Sequence, residues 1–211
     1  MTNACQYLHE ALAGLPRLSR EDLSRVPNNG IYVLFEKGET GHGVDRIVCV
    51  GTHNRQNNLA ARIREHFDAS NKDRSIFRKH IGRCLLAKRG DAFLDQWQRD
   101  LTTRAARATN EVDLDRLNQI ENEVTRHIIG NFSFSVLRCD SKAVRLHCKK
   151  YILSTVYHCS YCAPSKTWLG KAHPNLTIVR EGGLWNVQNL RGPELTLDEA
   201  RKMIESGTQP A

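Results

Sequence analysis

Residues 28–67 read NNGIYVLFEKGETGHGVDRIVCVGTHNRQNNLAARIREHF. Two short runs rich in β-branched and aromatic residues, Ile31–Phe35 and Ile47–Val50, flank a tip that holds Gly38, Gly41 and Gly43. Such runs joined by glycine-rich chain predict a β-hairpin with a long turn. Gly51 ends the second run, and a polar loop leads to Leu59. Leu59, Ile63 and Phe67 recur at i, i+4 and i+8, so they share one apolar helical face. Arg62 and His66 are also four apart and reach toward one point beside that face. Side chains alternate along a strand, so Tyr32 points away from Ile31 and Val33. A strand tyrosine, a glycine-ended second strand, and arginine and histidine on the next helix suit a site that handles phosphate. Guanidinium offers phosphate oxygens a planar fork of donors and stays charged at every usable pH. Imidazole exchanges protons near neutrality.

Three pieces of this stretch, in this order and spacing, resemble the GIY-YIG nuclease family: GIYVL at Gly30–Leu34, CVG at Cys49–Gly51 and ARIREHF at Ala61–Phe67. More thinly, SIFRKHIGRCLL from Ser75 and the segments 164–170 and 183–186 are similar to a bacterial subset of that family. The resemblance implies an α/β fold, a small three-stranded mixed or antiparallel central sheet flanked by helices. It implies a metal-dependent endonuclease that hydrolyses DNA phosphodiester bonds. Tyr32 and His66 then stand at the attacking water, Arg62 stabilises the scissile phosphate, and one divalent metal, Mg²⁺ or Mn²⁺, serves the departing oxygen. His66 has a second reading as a cation at a helix end. Asn186 matches a family asparagine near the active site, with an ordinary turn asparagine as the other reading.

The chain departs from the family pattern twice. Cys49 stands where the family usually has a second tyrosine, and a thiol is no phenol. The helix expected after the third strand, Lys142–His158, contains no acidic residue. In the family this helix carries the glutamate that binds the metal; the best positional match here is Cys148. A neutral thiol is a poor ligand for Mg²⁺. Glu121, in IENEV, is the candidate replacement ligand, with Glu123 next. The alternative is a catalytically inactive nucleic-acid-binding module on the same fold.

Composition narrows the class. The 211 residues carry 31 Lys and Arg against 23 Asp and Glu, a net charge of +8, which favours a polyanionic partner such as nucleic acid; the resemblance makes DNA the expected one. No apolar run approaches the roughly 20 residues of a membrane span. MTNACQYLHE lacks the basic start and apolar centre of a signal peptide. Seven cysteines, an odd count in a chain of this length, fit a reducing cytoplasm.

The remaining elements follow from periodicity and capping signals. Ala4–Leu15 predicts a helix, and Ser19 opens a further turn. Ser75 caps a helix with Ile76, Phe77, Ile81, Cys84 and Leu85 inward. Arg78, Lys79 and Arg83 project from it and, with Arg64, make a basic surface able to follow a nucleic-acid backbone. Asp91–Thr109 and Asp113–Ile129 read as two helices, an insertion at 91–129 within a single domain spanning 1–211 whose closing segments run from 164 to 211. Asn131–Asp140 reads as the third strand. Thr196-Leu-Asp-Glu199 is a capping box for a last helix ending at Gly207. Trp168 and Trp185 either stack on bases or pack on the sheet. His147, Cys148, His158, Cys159, Cys162 and His173 crowd together, and Cys159–Cys162 is a CxxC that suits tetrahedral zinc. No second CxxC or HxxxH accompanies it, so the expectation is buried thiols rather than structural zinc.

Overall fold

A computed structural model describes residues 3–68, 70–109 and 111–208. In chain order these form α1 (Ala4–Ala13), β1 (Gly30–Gly41), β2 (Val44–Thr52), α2 (Leu59–Phe67), α3 (Ile76–Lys88), α4 (Leu94–Gln98), α5 (Arg104–Thr109), α6 (Leu114–Asn131), β3 (Phe132–Arg138), α7 (Lys142–Tyr157), α8 (Thr177–Gly182) and α9 (Leu197–Thr208). The strands make one antiparallel sheet in the order β2-β1-β3. This is the small three-stranded sheet between helices that the resemblance implied.

The alternation in β1 divides the interior. Ile31, Val33 and Phe35 join a core with Leu8 and Leu12 of α1, Ile152 and Val156 of α7, and Ile204 of α9. Tyr32 and Leu34 join the other core, with Leu59, Ile63 and Phe67 of α2, Phe77 and Ile81 of α3, and Val124 of α6. The tyrosine therefore faces the helix that carries Arg62 and His66. Burial on both faces explains why Ile31–Phe35 reads as an unbroken apolar run.

The hairpin differs from the expected long turn. Pairing continues to Gly41 and Val44, and the turn is only His42-Gly43, both with positive φ (54° and 80°). That is the backbone geometry of a two-residue type I′ hairpin turn. What looked like loop is strand with a bulge between Phe35 and Thr40. Glu36, Glu39 and Arg46 misled because they are buried. Arg46, fully buried, donates to Glu39 at 2.6 Å and to the Gly183 carbonyl. Glu36 accepts the indole N–H groups of Trp168 (2.8 Å) and Trp185 (3.1 Å), so both tryptophans pack inside. Burial pushes the Glu36 carboxyl up to about 7.

Helix boundaries shift modestly elsewhere. The predicted helix 91–109 is two short ones, α4 and α5. The Asp100 side chain accepts the Thr102 N–H at 2.8 Å, a local bond that competes with helical pairing. Ile76, expected inward, is 49% exposed.

The charge expected on the surface of α3 is partly internal. Arg78 does not project into solvent but is fully buried. Its guanidinium donates to Glu121 Oε2 (2.7 Å), the Glu121 carbonyl (3.0 Å), Thr125 Oγ1 (2.8 Å) and the His66 carbonyl (3.1 Å). Glu121 Oε1 accepts the Lys72 N–H. Both carboxylate oxygens are thus taken, which sets Glu121 in the scaffold and not at an open metal position. Arg78 thereby ties α2, α3 and α6 together beneath the histidine.

Removing one partner of a buried ion pair strands the other charge, at a cost of about 3–5 kcal/mol. Glu121→Ala is therefore expected to lose stability on that scale in denaturant unfolding, whereas Arg78→Met with Glu121→Leu recovers most of it. A Glu121→Ala protein as stable as the parent contradicts this assignment.

Candidate active site

Tyr32 pairs across the hairpin with Gly51. A Cβ at Gly51 would lie 2.0 Å from Tyr32 Cζ, so the ring rests directly on the glycine and no other residue fits there. This contact turns the phenol toward α2, where Tyr32 Oη meets His66 Nε2 at 2.6 Å. On the far side of the imidazole, Nδ1 lies 2.7 Å from Ser75 Oγ. The same hydroxyl caps α3 by accepting the Arg78 N–H at 3.2 Å. Sequence reading found Ser75 as a cap and His66 as a candidate; the structure joins them through one oxygen.

Burial governs this chain of groups. Tyr32 and His66 are each only 2% exposed. Burial raises the Tyr32 hydroxyl, although the nearby Arg62 charge pulls it back. Burial, with the charges of Arg62 and Arg78, holds His66 well below its ordinary 6.5. The imidazole is neutral at physiological pH, and a neutral ring carries one N–H and one acceptor. With the N–H toward Ser75, Nε2 accepts from the phenol.

Arg62 stands at the mouth, with 28% of its side chain exposed. It donates to Glu65 and, at 3.1 Å, to the Arg74 carbonyl, which fixes the guanidinium over the cleft. The cleft has a volume of about 190 Å³ and is lined by Tyr32, Cys49, Gly51, Arg62, His66, Lys149, Asn186 and their neighbours. The structure therefore brings Tyr32, Arg62 and His66 together.

The wall contributed by α7 differs from the expectation by one residue. Lys149 lines the cleft, while Cys148 belongs to the core with Ile152 and Leu153. Sequence reasoning missed this lysine because the helix phase relative to the sheet is a tertiary property. Burial, with the Arg62 charge, lowers Lys149 from its ordinary 10.5. Cys49 also lines the cleft, and burial pushes its thiol up to about 12, so it stays neutral.

Asn186 lies at the cleft, but its amide is engaged. Its Oδ1 accepts the Val50 N–H at 2.9 Å, and its Nδ2 donates to the Val50 carbonyl at 3.0 Å. With the Trp185 N–H on the Val48 carbonyl at 2.8 Å, the segment covers the outer edge of β2. An edge strand left open invites pairing with another chain. Arg64 is exposed, and Lys79 is half-buried and paired with Asp73 at 2.9 Å. Neither these two residues nor Arg78 and Glu121 line the cleft.

The donor set can be tested against a resident divalent ion. Mg²⁺ takes hard oxygen donors, typically one or two carboxylates. Among the described residues no carboxylate lines the cleft, and two cations, Arg62 and Lys149, do. Glu65 is nearby but spent on Arg62. These residues do not fit a protein-held Mg²⁺ or Mn²⁺.

Gly51→Ala forces the Tyr32 ring aside. Overpacking of this kind costs about 1–3 kcal/mol. The expected signature is that loss in unfolding, together with a shift of the His66 imidazole resonances as its bond to Tyr32 breaks. Unchanged His66 resonances contradict the contact.

No curated protein and no solved structure matches the chain. A family model described as GIY-YIG domain matches residues 2–208, nearly the whole chain. Members of this group are nucleases that act on nucleic acid, usually DNA, and generally depend on a divalent metal. By that match, and by a sheet that sets Tyr32 on Gly51 and faces them to Arg62 and His66, the chain belongs to the GIY-YIG domain family.

Proposed function

We propose that the cleft hydrolyses a phosphodiester of DNA, with Lys149 occupying the role a metal fills in relatives. The observation that carries this reading is the pair of cations, Arg62 and Lys149, on the walls of a cleft that also holds a buried Tyr32–His66 hydrogen bond. Arg62 and Lys149 neutralise the phosphoryl oxygens, an electrostatic contribution of several kcal/mol at a preorganised site. Water attacks phosphorus as its proton passes to Tyr32 Oη. The phenol proton passes in turn to His66 Nε2, while His66 Nδ1–H stays on Ser75. The P–O bond breaks and the departing oxygen takes a proton from Lys149 Nζ. The proton on His66 and the vacancy on Lys149 re-equilibrate through solvent.

The lowering of Lys149 from its ordinary 10.5 moves its ammonium toward the working pH, where a general acid is most effective. Cys49 leaves the second phenol out of the site, so Tyr32 alone handles the water proton. Arg64 and Lys79, outside the cleft, suit contacts to flanking phosphates. The lack of a carboxylate among the described residues at the cleft favours a second reading, a nucleic-acid-binding module that does not cut.

The test is nicking of supercoiled plasmid and branched DNA with Mg²⁺, with Mn²⁺, and with brief chelator exposure. Binding is measured in parallel. Wild type is expected to nick in chelator. Arg62→Ala and Lys149→Ala each lose about 10²–10³-fold in kcat/KM, the scale of one removed electrostatic donor. Cleavage that requires Mg²⁺ or Mn²⁺ overturns the role given to Lys149. Binding without cleavage under every condition establishes the second reading.

The pH profile of kcat/KM reports the free enzyme. His66 must be neutral, and its pKa is depressed, so the acid limb falls well below 6.5. Lys149 must be protonated, and its pKa is also lowered, so activity declines with rising pH before 10.5. An acid limb at 6.5 contradicts the buried relay.

A further inference from the structure

Four metal-ligating side chains converge at the other end of the hairpin from the cleft. Cys5 lies in the first turn of α1, His42 is the first residue of the hairpin turn, and Cys159 and Cys162 bracket the 3₁₀ turn after α7. Their ligand atoms all lie within 4.8 Å of one another. Cys5 Sγ and Cys162 Sγ are 3.5 Å apart, and Cys159 Sγ is 3.2 Å from His42 Nε2. All seven cysteines are free thiols, and 3.5 Å is far outside disulfide bonding distance. A tetrahedron with Zn–S bonds of about 2.3 Å has S···S edges of roughly 3.8 Å, close to the 3.5 Å between Cys5 and Cys162.

We propose that Cys5, His42, Cys159 and Cys162 hold a structural zinc ion. The donor types select it. Three thiolates and one imidazole are soft and borderline ligands, suited to Zn²⁺ and unsuited to Mg²⁺ or Ca²⁺. Four protein ligands complete the tetrahedron, which marks a structural site rather than a catalytic one with an open position.

Two independent features point the same way. His42 is a non-glycine residue at φ 54°, in a turn type that favours Asn-Gly or Gly-Gly. A bulky residue in that region carries backbone strain, and such strain persists where a side chain is needed. Here it turns the imidazole toward Cys159. The second feature is His9, fully buried beside the group. Its Nδ1 is 2.9 Å from the Cys5 carbonyl, and its Nε2 accepts the Ile47 N–H at 3.2 Å. Both ring nitrogens are occupied, so His9 is a supporting residue: it fixes the backbone that carries Cys5 and links it to β2. Zinc sites depend on such supporting bonds.

The ion fastens α1, the hairpin tip and the end of α7, three segments far apart in sequence. A bound structural metal contributes to folding directly, because the unfolded chain offers no such site. It lies apart from the phosphate cleft and supplies no step of the chemistry there.

The experiment is metal analysis of the whole protein after purification without added metal, followed by X-ray absorption at the zinc edge. The expected result is one zinc per chain, with Zn–S near about 2.3 Å and Zn–N near about 2.0 Å. Cys159→Ser and His42→Ala lower zinc content and melting temperature, while Cys84→Ser, a buried thiol elsewhere, keeps its zinc. A Cys5–Cys162 disulfide in the mass spectrum overturns the proposal. So does protein that stays folded and takes up no zinc on reconstitution, or full zinc content in a Cys159→Ser, Cys162→Ser double variant. Cleavage is not part of this readout, so the zinc site and the nuclease reading stand or fall separately.

Discussion

The hydrogen bond between Tyr32 and His66 joins the sheet to α2, and the geometry of the cleft depends on it. Every element around it serves its placement. Gly51 lets the tyrosine ring lie against β2, where any Cβ would collide with it. The apolar face of Leu59, Ile63 and Phe67 docks α2 on the same side of the sheet. Ser75 holds the far side of the imidazole while starting the next helix. Arg78, buried below, grips the His66 carbonyl and reaches α6 through Glu121. A buried polar chain of this kind is expensive unless each member is satisfied, and here the partners come from β1, α2, α3 with its cap, and α6. Its energetic weight falls on orientation, and Arg62, partly exposed at the mouth of the cleft, is held beside it by Glu65 and the Arg74 carbonyl.

Charge is distributed between inside and outside in a way composition alone conceals. Arg46, Arg78 and Arg145 are fully buried, so part of the basic excess is structural. Arg145 donates to the carbonyls of Cys139 (3.1 Å) and Asp140 (2.8 Å), binding the start of α7 to the end of β3. One turn further along α7 lies Lys149, while Cys148, Ile152 and Leu153 pack in the core. Lys149 enters the cleft, beside Arg62 and the neutral Cys49. The described lining of the cleft therefore carries two cations, Arg62 and Lys149, and no carboxylate.

What sequence made legible was local. The 3.6-residue period set Arg62 and His66 on one helix face, because that relation lies within a single element, and the resemblance to the family set Tyr32 beside them. Ser75 and Thr196 were recognisable as caps for the same reason. What stayed hidden was set by distant partners. Arg78 looked like a surface arginine because its carboxylate partner is 43 residues on. Glu36 and Glu39 looked like turn residues because the indoles and the arginine that satisfy them come from elsewhere. Cys159 and Cys162 looked like half of a metal site; Cys5, 157 residues before Cys162, and His42 complete the group. Cys148 and Lys149 differ by about 100° on a helix of 3.6 residues per turn, too fine a distinction without the packing that fixes the helix.

A structure of the protein with a short DNA duplex carrying a non-hydrolysable phosphate linkage addresses the cleft itself. The expected result is a phosphate between the Arg62 guanidinium and the Lys149 ammonium, with a water or its mimic against Tyr32 Oη. A divalent ion bridging that phosphate while Lys149 turns away, or DNA seated on another face with the cleft empty, would contradict a cleft in which two cations hold the scissile phosphate.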